Sequence, residues 1–200
     1  MELIKKYWKW ILGILLILII GYGYYRYTKK QQFYERIKNL LEVGIFKEKE
    51  FEDVNLETTN IISNKTEKDY YDEIVLVGLN ELNIDSIYVD IRTITDEVKQ
   101  QFDGELELRA HILGRNKQYI IWMDDMGRSE AIKILSHELI HLTQYKNGDI
   151  VVNNEYVEWK GRRYTYDEIR NIEYRQRPWE AEAYNGERKL QFKIEDILYK

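Results

Sequence analysis

The segment SEAIKILSHELIHLTQYKNG, residues 129–148, predicts a helix that must bury one side against other parts of the chain. Its aliphatic residues recur at intervals of three and four: Ile132, Leu135, Leu139 and Leu142. That spacing places them in one stripe along a helix, and we expect the stripe to pack against a sheet. Ser129 can cap the start of the helix, and Gly148 after Asn147 provides a left-handed stop. The helix is therefore expected to form from its own caps and apolar stripe.

Within this segment, His137-Glu138-Leu139-Ile140-His141 places two imidazoles one turn apart on the same face. A helix advances about 100° per residue, so the two rings are about 40° apart around the axis. Both rings can then reach one zinc ion at about 2.0–2.1 Å. Glu138 lies on a neighbouring face, near enough to contact a metal-bound water without replacing a ligand. The chain has no cysteine, so any metal must be held by His, Asp or Glu.

The alternative is that two histidines fall by accident on a half-buried helix. The chain has only three histidines, and two of them bracket a glutamate at the spacing that zinc requires. This observation favours a zinc site. The remaining histidine, His111, lies between Ala110 and Ile112 in a predicted strand, where we expect a core or rim residue rather than a ligand.

A catalytic zinc usually has three protein ligands and a water. HELIHLTQYKNG lacks the downstream glycine and third histidine of metzincins, so the third ligand must come from elsewhere in the chain. The segment RPWEAEAYNG offers Glu180 and Glu182 in the first turn of a helix that begins near Pro178. The two carboxylates face different directions, so only one can be the ligand. Glu180 is preferred because Ala183 on its face allows a close approach, with Glu182 as the alternate. Both could instead be solvated acids at a helix N-terminus.

Strands precede the histidine-bearing helix, and a hairpin and a closing helix follow it. Three runs of alternating or β-branched residues predict strands: residues 84–94, 105–114 and 117–125. A hairpin is predicted over 155–166, turning at Lys160-Gly161, and a helix over 177–199. This order indicates an α+β domain over residues 74–200, with a mixed or antiparallel sheet packed on the HExxH helix.

Residues 7–25, YWKWILGILLILIIGYGYY, have Lys9 as their only charge and predict a single transmembrane helix. At about 1.5 Å per residue they span roughly 28 Å, which matches the hydrocarbon layer of a bilayer. Trp and Tyr lie at the two ends, as in interfacial aromatic belts. GYGYYRY offers no small-residue cleavage site, so an uncleaved anchor over residues 1–27 is favoured over a signal peptide.

The segment between anchor and domain, residues 28–73, predicts a juxtamembrane helix followed by a polar, irregular linker. A short Lys-rich tail before an apolar run resembles a signal anchor, which would place residues 74–200 of a single-pass membrane protein outside the cytoplasm. The net charge of −5 is not arranged around a basic block, so no nucleic-acid partner is indicated.

HELIH at residues 137–141 followed by EAEA at residues 180–183 resembles the gluzincin pattern, in which an ExxA-type helix follows HExxH. The chain looks most like the small zincin-like metallopeptidase domains of bacterial and phage proteins. In those domains a Trp-Lys-Gly hairpin lies between HExxH and an Arg-Pro-Trp-Glu segment. The resemblance covers about residues 84–195.

This resemblance implies a membrane-anchored zinc metallopeptidase that hydrolyses peptide bonds in peptide or protein substrates. Its Zn²⁺ ligands would be His137, His141 and Glu180. Glu138 would be the catalytic base, which accepts a proton from the zinc-activated water and passes it to the leaving amine. Tyr184 departs from the family pattern, which more often has Asp or Asn after the alanine.

The oxyanion needs a further donor, and the sequence leaves Tyr174, Tyr184 and Arg177 as candidates. By analogy with zincins, the strand at the edge of the site, here Lys117-Asp124, would pair with an extended substrate backbone. The alternative function is a catalytically inactive zinc-binding or interaction domain that is tethered to the membrane.

Overall fold

A four-stranded mixed sheet supports the helix that contains the two histidines. The computed structural model describes residues 18–25, 27–28, 60–95, 109–115, 117–153 and 155–200. The strands of this sheet are β1 Ile61–Asn64, β2 Tyr88–Thr93, β3 Ala110–Arg115 and β4 Gln118–Met123. Their spatial order is β1-β2-β4-β3, in which β1, β2 and β4 run parallel and β3 is antiparallel to β4. The predicted α+β class and mixed sheet are therefore confirmed.

Helices cover one face of this sheet. The helices of the described domain are α1 Tyr70–Glu81, α2 Arg128–Lys146, α3 Tyr166–Arg170 and α4 Pro178–Leu198. One buried core joins α1, α2 and α4 to alternate strand residues, among them Val89, Ile91 and Ile121. Alternation along a strand sends these side chains to one face, so the three helices lie on the same side of the sheet.

The predicted apolar stripe of α2 forms the centre of this core. Its four residues are fully buried: Ile132, Leu135, Leu139 and Leu142. Burial of each such side chain stabilises the fold by about 1.5–3 kcal/mol. Gly78 of α1 packs against this stripe so closely that a methyl group there would overlap Cδ1 of Leu139. The close packing fixes the rotation of α2 and therefore the direction in which its histidines point.

A second, three-stranded antiparallel sheet lies between α2 and α4 in the chain. Its strands are β5 Ile150–Val152, β6 Tyr156–Trp159 and β7 Arg162–Thr165. The predicted hairpin is confirmed, with positive φ at both turn residues, Lys160 (47°) and Gly161 (83°). A small core joins this sheet to α3 and to Trp179 at the start of α4. The sheet therefore supports the end of α4 that contains Glu180.

Of the two predicted ends of α2, only the C-terminal one is confirmed. Gly148 adopts φ = 74°, and its N–H donates to the carbonyl of Tyr145, so the predicted stop is confirmed. The prediction that Ser129 caps the start is wrong. The N-cap residue is Gly127, whose carbonyl accepts from the N–H of Ala131, and Ser129 lies inside the first turn.

The sequence predicts an irregular linker that continues to Ile74. This prediction is wrong for residues 61–64 and 70–73. Residues 61–64 form β1, which pairs in parallel with β2, and α1 begins at Tyr70. This four-residue strand has a weak sequence signal, because β1 gains its hydrogen bonds from a partner that is distant in sequence. The ordered unit therefore extends to the N-terminal side of the predicted boundary.

The predicted edge strand is also corrected. Residues 118–123 form β4, which is paired on both sides, with β2 and with β3. A strand with two partners has no free edge for a substrate backbone. Among the described residues, β3 is the outer strand on this side of the sheet.

The predicted transmembrane segment, residues 7–25, lies largely outside the described residues, as do residues 29–59 of the predicted juxtamembrane region. Residues 18–25 are helical. Among the described residues, no helix combines the length and the hydropathy needed to cross a bilayer.

Candidate metal centre

The two histidines of α2 lie side by side in a buried position. The solvent-exposed fraction is 8% for His137 and 7% for His141. Their Nε2 atoms are 3.1 Å apart, and the rings meet at 79°. The four-residue spacing produces this arrangement, because it places both side chains on the helix face next to the apolar stripe.

The N-terminal turn of α4 brings Glu180 to the same point. Its Oε2 atom lies 3.3 Å from Nε2 of His137 and 3.4 Å from Nε2 of His141. Pro178 occupies the first turn of α4, where no intrahelical N–H is lost. Ala183 is fully buried between α4 and the rest of the core, as the predicted close approach requires.

Glu182, the alternate ligand, points away from the histidines. Its carboxylate accepts hydrogen bonds from Nε2 of Gln144 at 3.0 Å and from Nζ of Lys160 at 2.9 Å. It is therefore engaged with the hairpin turn and with a neighbour of His141. The structure groups Glu180 with the two histidines and places Glu182 outside that group.

Three donor atoms, one each from His137, His141 and Glu180, lie within 4.8 Å of one another and could hold a metal ion. Two ligand atoms that are each 2.0–2.1 Å from a tetrahedral zinc ion are about 3.3 Å apart. The separations of 3.1, 3.3 and 3.4 Å match that value closely. Two imidazoles and a carboxylate are also the donor set of open, catalytic zinc sites. The side chains present therefore fit a zinc ion with one position left for water.

Each histidine has a hydrogen-bond partner on its other ring nitrogen. Nδ1 of His137 lies 2.9 Å from Oε2 of Glu187, and Nδ1 of His141 lies 2.7 Å from Oε1 of Gln144. With Nδ1–H donating to these oxygens, each Nε2 is left as a lone-pair donor directed at the shared centre. Gln144 is itself held by the carbonyl of Trp179.

Sequence reasoning missed both of these partners, although helical spacing contains a signal for each. Glu187 follows Glu180 by seven residues, which is two turns on the same face of α4. Gln144 follows His141 by three residues on α2. A search for polar residues in register with the ligands would have found them.

Replacement of Glu187 by Gln is expected to weaken zinc binding by about 10–100-fold, the usual effect of losing the outer partner of a ligating histidine. The amide keeps the size of the side chain but removes the negative charge that raises the basicity of His137. The dissociation constant can be measured by competition with a chromophoric chelator. Glu195→Gln is the matched control, because the carboxylate of this α4 residue accepts a hydrogen bond from Gln191 and is not part of the metal group. Equal affinities for the two variants would contradict the assigned role of Glu187.

Glu138 is buried beside the two histidines and is held by the outer strand. Its carboxylate accepts a hydrogen bond from the backbone N–H of Ile112 in β3. Burial raises the pKa of Glu138, and the neighbouring charges of His141 and His137 oppose that rise. Glu138 is therefore a carboxylate with increased proton affinity, next to the group that could hold a metal.

The two histidines and Glu180 shift one another's pKa values in opposite directions. Burial lowers the pKa of His141, but the hydrogen bond to Glu180 and the charge of Glu138 outweigh it and raise that pKa to about 8. The same balance raises the pKa of His137. Burial raises the pKa of Glu180, but its hydrogen bonds with the two histidines hold it at about 2. Without a metal, His141 therefore retains a proton at neutral pH.

Zinc affinity should consequently rise with pH up to about 8 and then level off. Zinc needs neutral imidazoles, so below the raised pKa of His141 the metal must displace a proton. Each displaced proton changes the apparent binding constant by about ten-fold per pH unit. Glu180 stays ionised throughout this range and contributes no slope. Chelator competition between pH 6 and 9 measures the effect, and an affinity independent of pH would contradict it.

The three predicted oxyanion donors all border this group. Tyr174, in the 3-10 turn Tyr174–Gln176, forms a hydrogen bond with Glu180. The ring of Tyr184 lies 4.7 Å from the ring of His137, centroid to centroid. Arg177 is the N-cap residue of α4, and its guanidinium lies 5.1 Å from the centroid of the Tyr174 ring.

His111 remains outside the group of ligand atoms, as the sequence indicates. It lies in β3, and its ring stacks on Trp122 with 6.4 Å between centroids. Burial and the charge of His141 lower the pKa of His111 to about 4, so this side chain is neutral at physiological pH.

Comparison with protein-family models, with curated proteins and with solved structures finds no match to this chain. The likeness to zincin-like peptidases therefore depends on the chain's own residues. Those residues are HELIH on α2 and RPWEAEAY at the start of α4.

Proposed function

We propose that this chain is a zinc metallopeptidase that hydrolyses peptide bonds. The observation that supports the proposal is the buried group of His137, His141 and Glu180 with the carboxylate of Glu138 beside it. A structural zinc site is closed by four protein ligands, whereas a catalytic site has three and an open position. Three donors next to a carboxylate of raised pKa correspond to the second kind.

When bound by these three side chains, zinc would polarise the scissile carbonyl and make water acidic enough to attack near neutral pH. Glu138 would accept the proton of the attacking water and donate it to the nitrogen of the leaving amine as the C–N bond breaks. The raised pKa of Glu138 suits both transfers, because a base that is too weak cannot take the proton. The hydrogen bond from Ile112 would hold the carboxylate in one orientation.

Tyr174 is the best-placed donor for the developing oxyanion. Its hydroxyl lies at Glu180, on the rim of the metal group, and burial raises the pKa of that hydroxyl. A phenol that stays protonated can donate a hydrogen bond to a negatively charged oxygen. The hydroxyl of Tyr184 is instead engaged by Arg175.

The outer strand β3 supports a peptide as the substrate. It pairs with β4 on one side only among the described residues, and the N–H of Ile112 places it against Glu138. An extended peptide could pair with this edge and bring its backbone carbonyl to the metal group. Residues 7–25 would attach this catalytic unit to a bilayer.

Hydrolysis of an unfolded, casein-like protein by the full-length chain in detergent tests the proposal. We expect hydrolysis with one zinc ion per chain, its loss on treatment with a chelator, and its return when zinc is restored. A chain that binds zinc tightly but leaves the substrate intact would be an inactive zinc-binding domain. A chain that binds no zinc would contradict the metal centre itself.

A further inference from the structure

Two arginines stand next to the candidate metal centre, each separated from it by one aromatic ring. The guanidinium of Arg175 lies 4.8 Å from the centroid of Tyr184, whose ring is 4.7 Å from that of His137. The guanidinium of Arg177 lies 5.1 Å from the centroid of Tyr174, whose hydroxyl bonds to Glu180. Positive charge is therefore held beside both a histidine and the carboxylate of the group.

Neither arginine forms an ion pair with a carboxylate among the described residues. Five other arginines of the described residues do, Arg92, Arg109, Arg128, Arg163 and Arg170, whereas Arg162 and Arg188 are on aromatic rings without such a pair. Nε of Arg177 is also buried without a hydrogen-bond partner. A buried donor that stays unpaired is unfavourable, so this arrangement favours a ligand that supplies an acceptor.

The rings of Tyr174 and Tyr184 hold the two guanidinium groups in place by cation–π contact. A guanidinium held in one plane can bind a carboxylate through two parallel hydrogen bonds. The metal centre itself is rich in negative charge, because Glu138, Glu180 and Glu187 all lie within it or at its border. With the two charges of a bound zinc ion counted, the three carboxylates leave one negative charge, which the two neighbouring arginines would offset for an acidic substrate.

We propose that Arg175 and Arg177 bind a carboxylate of the substrate close to the scissile bond, so that the site selects acidic peptides. The carboxylate is supplied by an Asp or Glu side chain or by the C-terminus of the peptide. The inference depends on the proposed peptidase function, but binding of the carboxylate can be measured without hydrolysis.

The experiment uses the zinc-loaded, full-length Glu138→Gln protein, which keeps the site but not the base. Its probes are a fluorescent ten-residue peptide of neutral residues with an amidated C-terminus, the same peptide with Glu introduced at each position in turn, and the parent with a free C-terminus. Fluorescence anisotropy measures each dissociation constant. We expect at least one carboxylate-bearing peptide to bind about 10–100-fold more tightly than the neutral parent.

The arginines are tested with the double substitution of Arg175 and Arg177 to Gln, which should remove this preference. The double substitution to Lys retains the charge but not the planar fork, and should restore part of it. Arg188→Gln is the matched control, since Arg188 also stacks on an aromatic ring, Phe192, farther along α4. The Arg188→Gln variant should prefer carboxylate-bearing peptides over the neutral peptide as strongly as the protein in which no arginine is replaced.

The outcomes separate the two proposals. Tighter binding of a Glu peptide identifies a side chain as the source of the carboxylate, and tighter binding of the free C-terminus identifies the peptide end. Equal binding of charged and neutral peptides, or a preference that survives the double Gln substitution, overturns the inference. Loss of zinc from the double Gln variant also overturns it, because the arginines would then position His137. Arginine-dependent binding without hydrolysis by the wild type would refute only the peptidase.

Discussion

We expect Glu138→Gln to lower the rate of peptide hydrolysis by about a hundred- to ten-thousand-fold, the range for loss of a general base, while the zinc content stays at one ion per chain. The amide has nearly the shape of the carboxylate and can still accept the hydrogen bond from Ile112, but it cannot accept a proton from water. The measurement is the initial rate on an unfolded protein substrate, together with metal analysis of the same sample.

Glu130→Gln is the control for this result, because Glu130 is the other acidic residue of α2 and pairs at the surface with Arg109. Its rate should match that of the wild type. If Glu138→Gln hydrolyses the substrate as fast as the wild type with zinc bound, the base lies elsewhere. If both proteins are inert with zinc bound, the domain binds metal without catalysis.

Helices α2 and α4 and the hairpin could be predicted because their signals are local, whereas α1 and α3 were not predicted. The stripe of α2 has a helical period, Gly148 favours a positive φ, and Lys160-Gly161 forms a tight turn, so a short window of sequence determines each of them. The order of the strands could not be predicted in this way. β1 has only four residues, and it is a strand because β2, more than twenty residues later, pairs with it.

The wrong choice of edge strand has the same cause, because a local stretch of sequence does not contain the order of the strands. The run over residues 117–125 is rich in apolar residues, which is typical of a strand buried on both faces and paired on both sides. The sequence placed it next to the active site because it is the strand nearest to α2 in the chain. The strand order β1-β2-β4-β3 instead places β3 on the outside among the described strands, where Ile112 reaches Glu138.

Residue types and helical spacing predict only part of the candidate metal centre. HELIH fixes the two histidines within one turn, whereas the choice between Glu180 and Glu182 depends on how α4 rotates against α2. That rotation follows from tertiary packing, in which Ala183 and Trp179 are buried and Glu182 is drawn towards Lys160. The sequence preferred Glu180 because of the small residue on its face, and Ala183 is buried, but the sequence could not give the rotation itself.

Glu180→Ala is expected to reduce zinc affinity by more than the 10–100-fold that follows from the loss of an outer partner, because it removes a ligand atom. It also removes the hydrogen bonds that raise the pKa values of both histidines. In the metal-free variant, the pKa of His141 should therefore fall from about 8, and NMR titration of the imidazole signals would detect this. The two measurements report on the same carboxylate, one with metal and one without.

Glu182→Ala is the matched control, two positions further along the same helix. It breaks the ion pair with Lys160 and one contact of Gln144, so it should alter zinc affinity by only a few-fold. Gln144 keeps its hydrogen bonds to His141 and to the carbonyl of Trp179. Loss of zinc from Glu182→Ala with normal binding by Glu180→Ala would mean that α4 turns its other face to the histidines. The arrangement of the site would then have to be abandoned, because its three donor atoms coincide only when Glu180 faces α2.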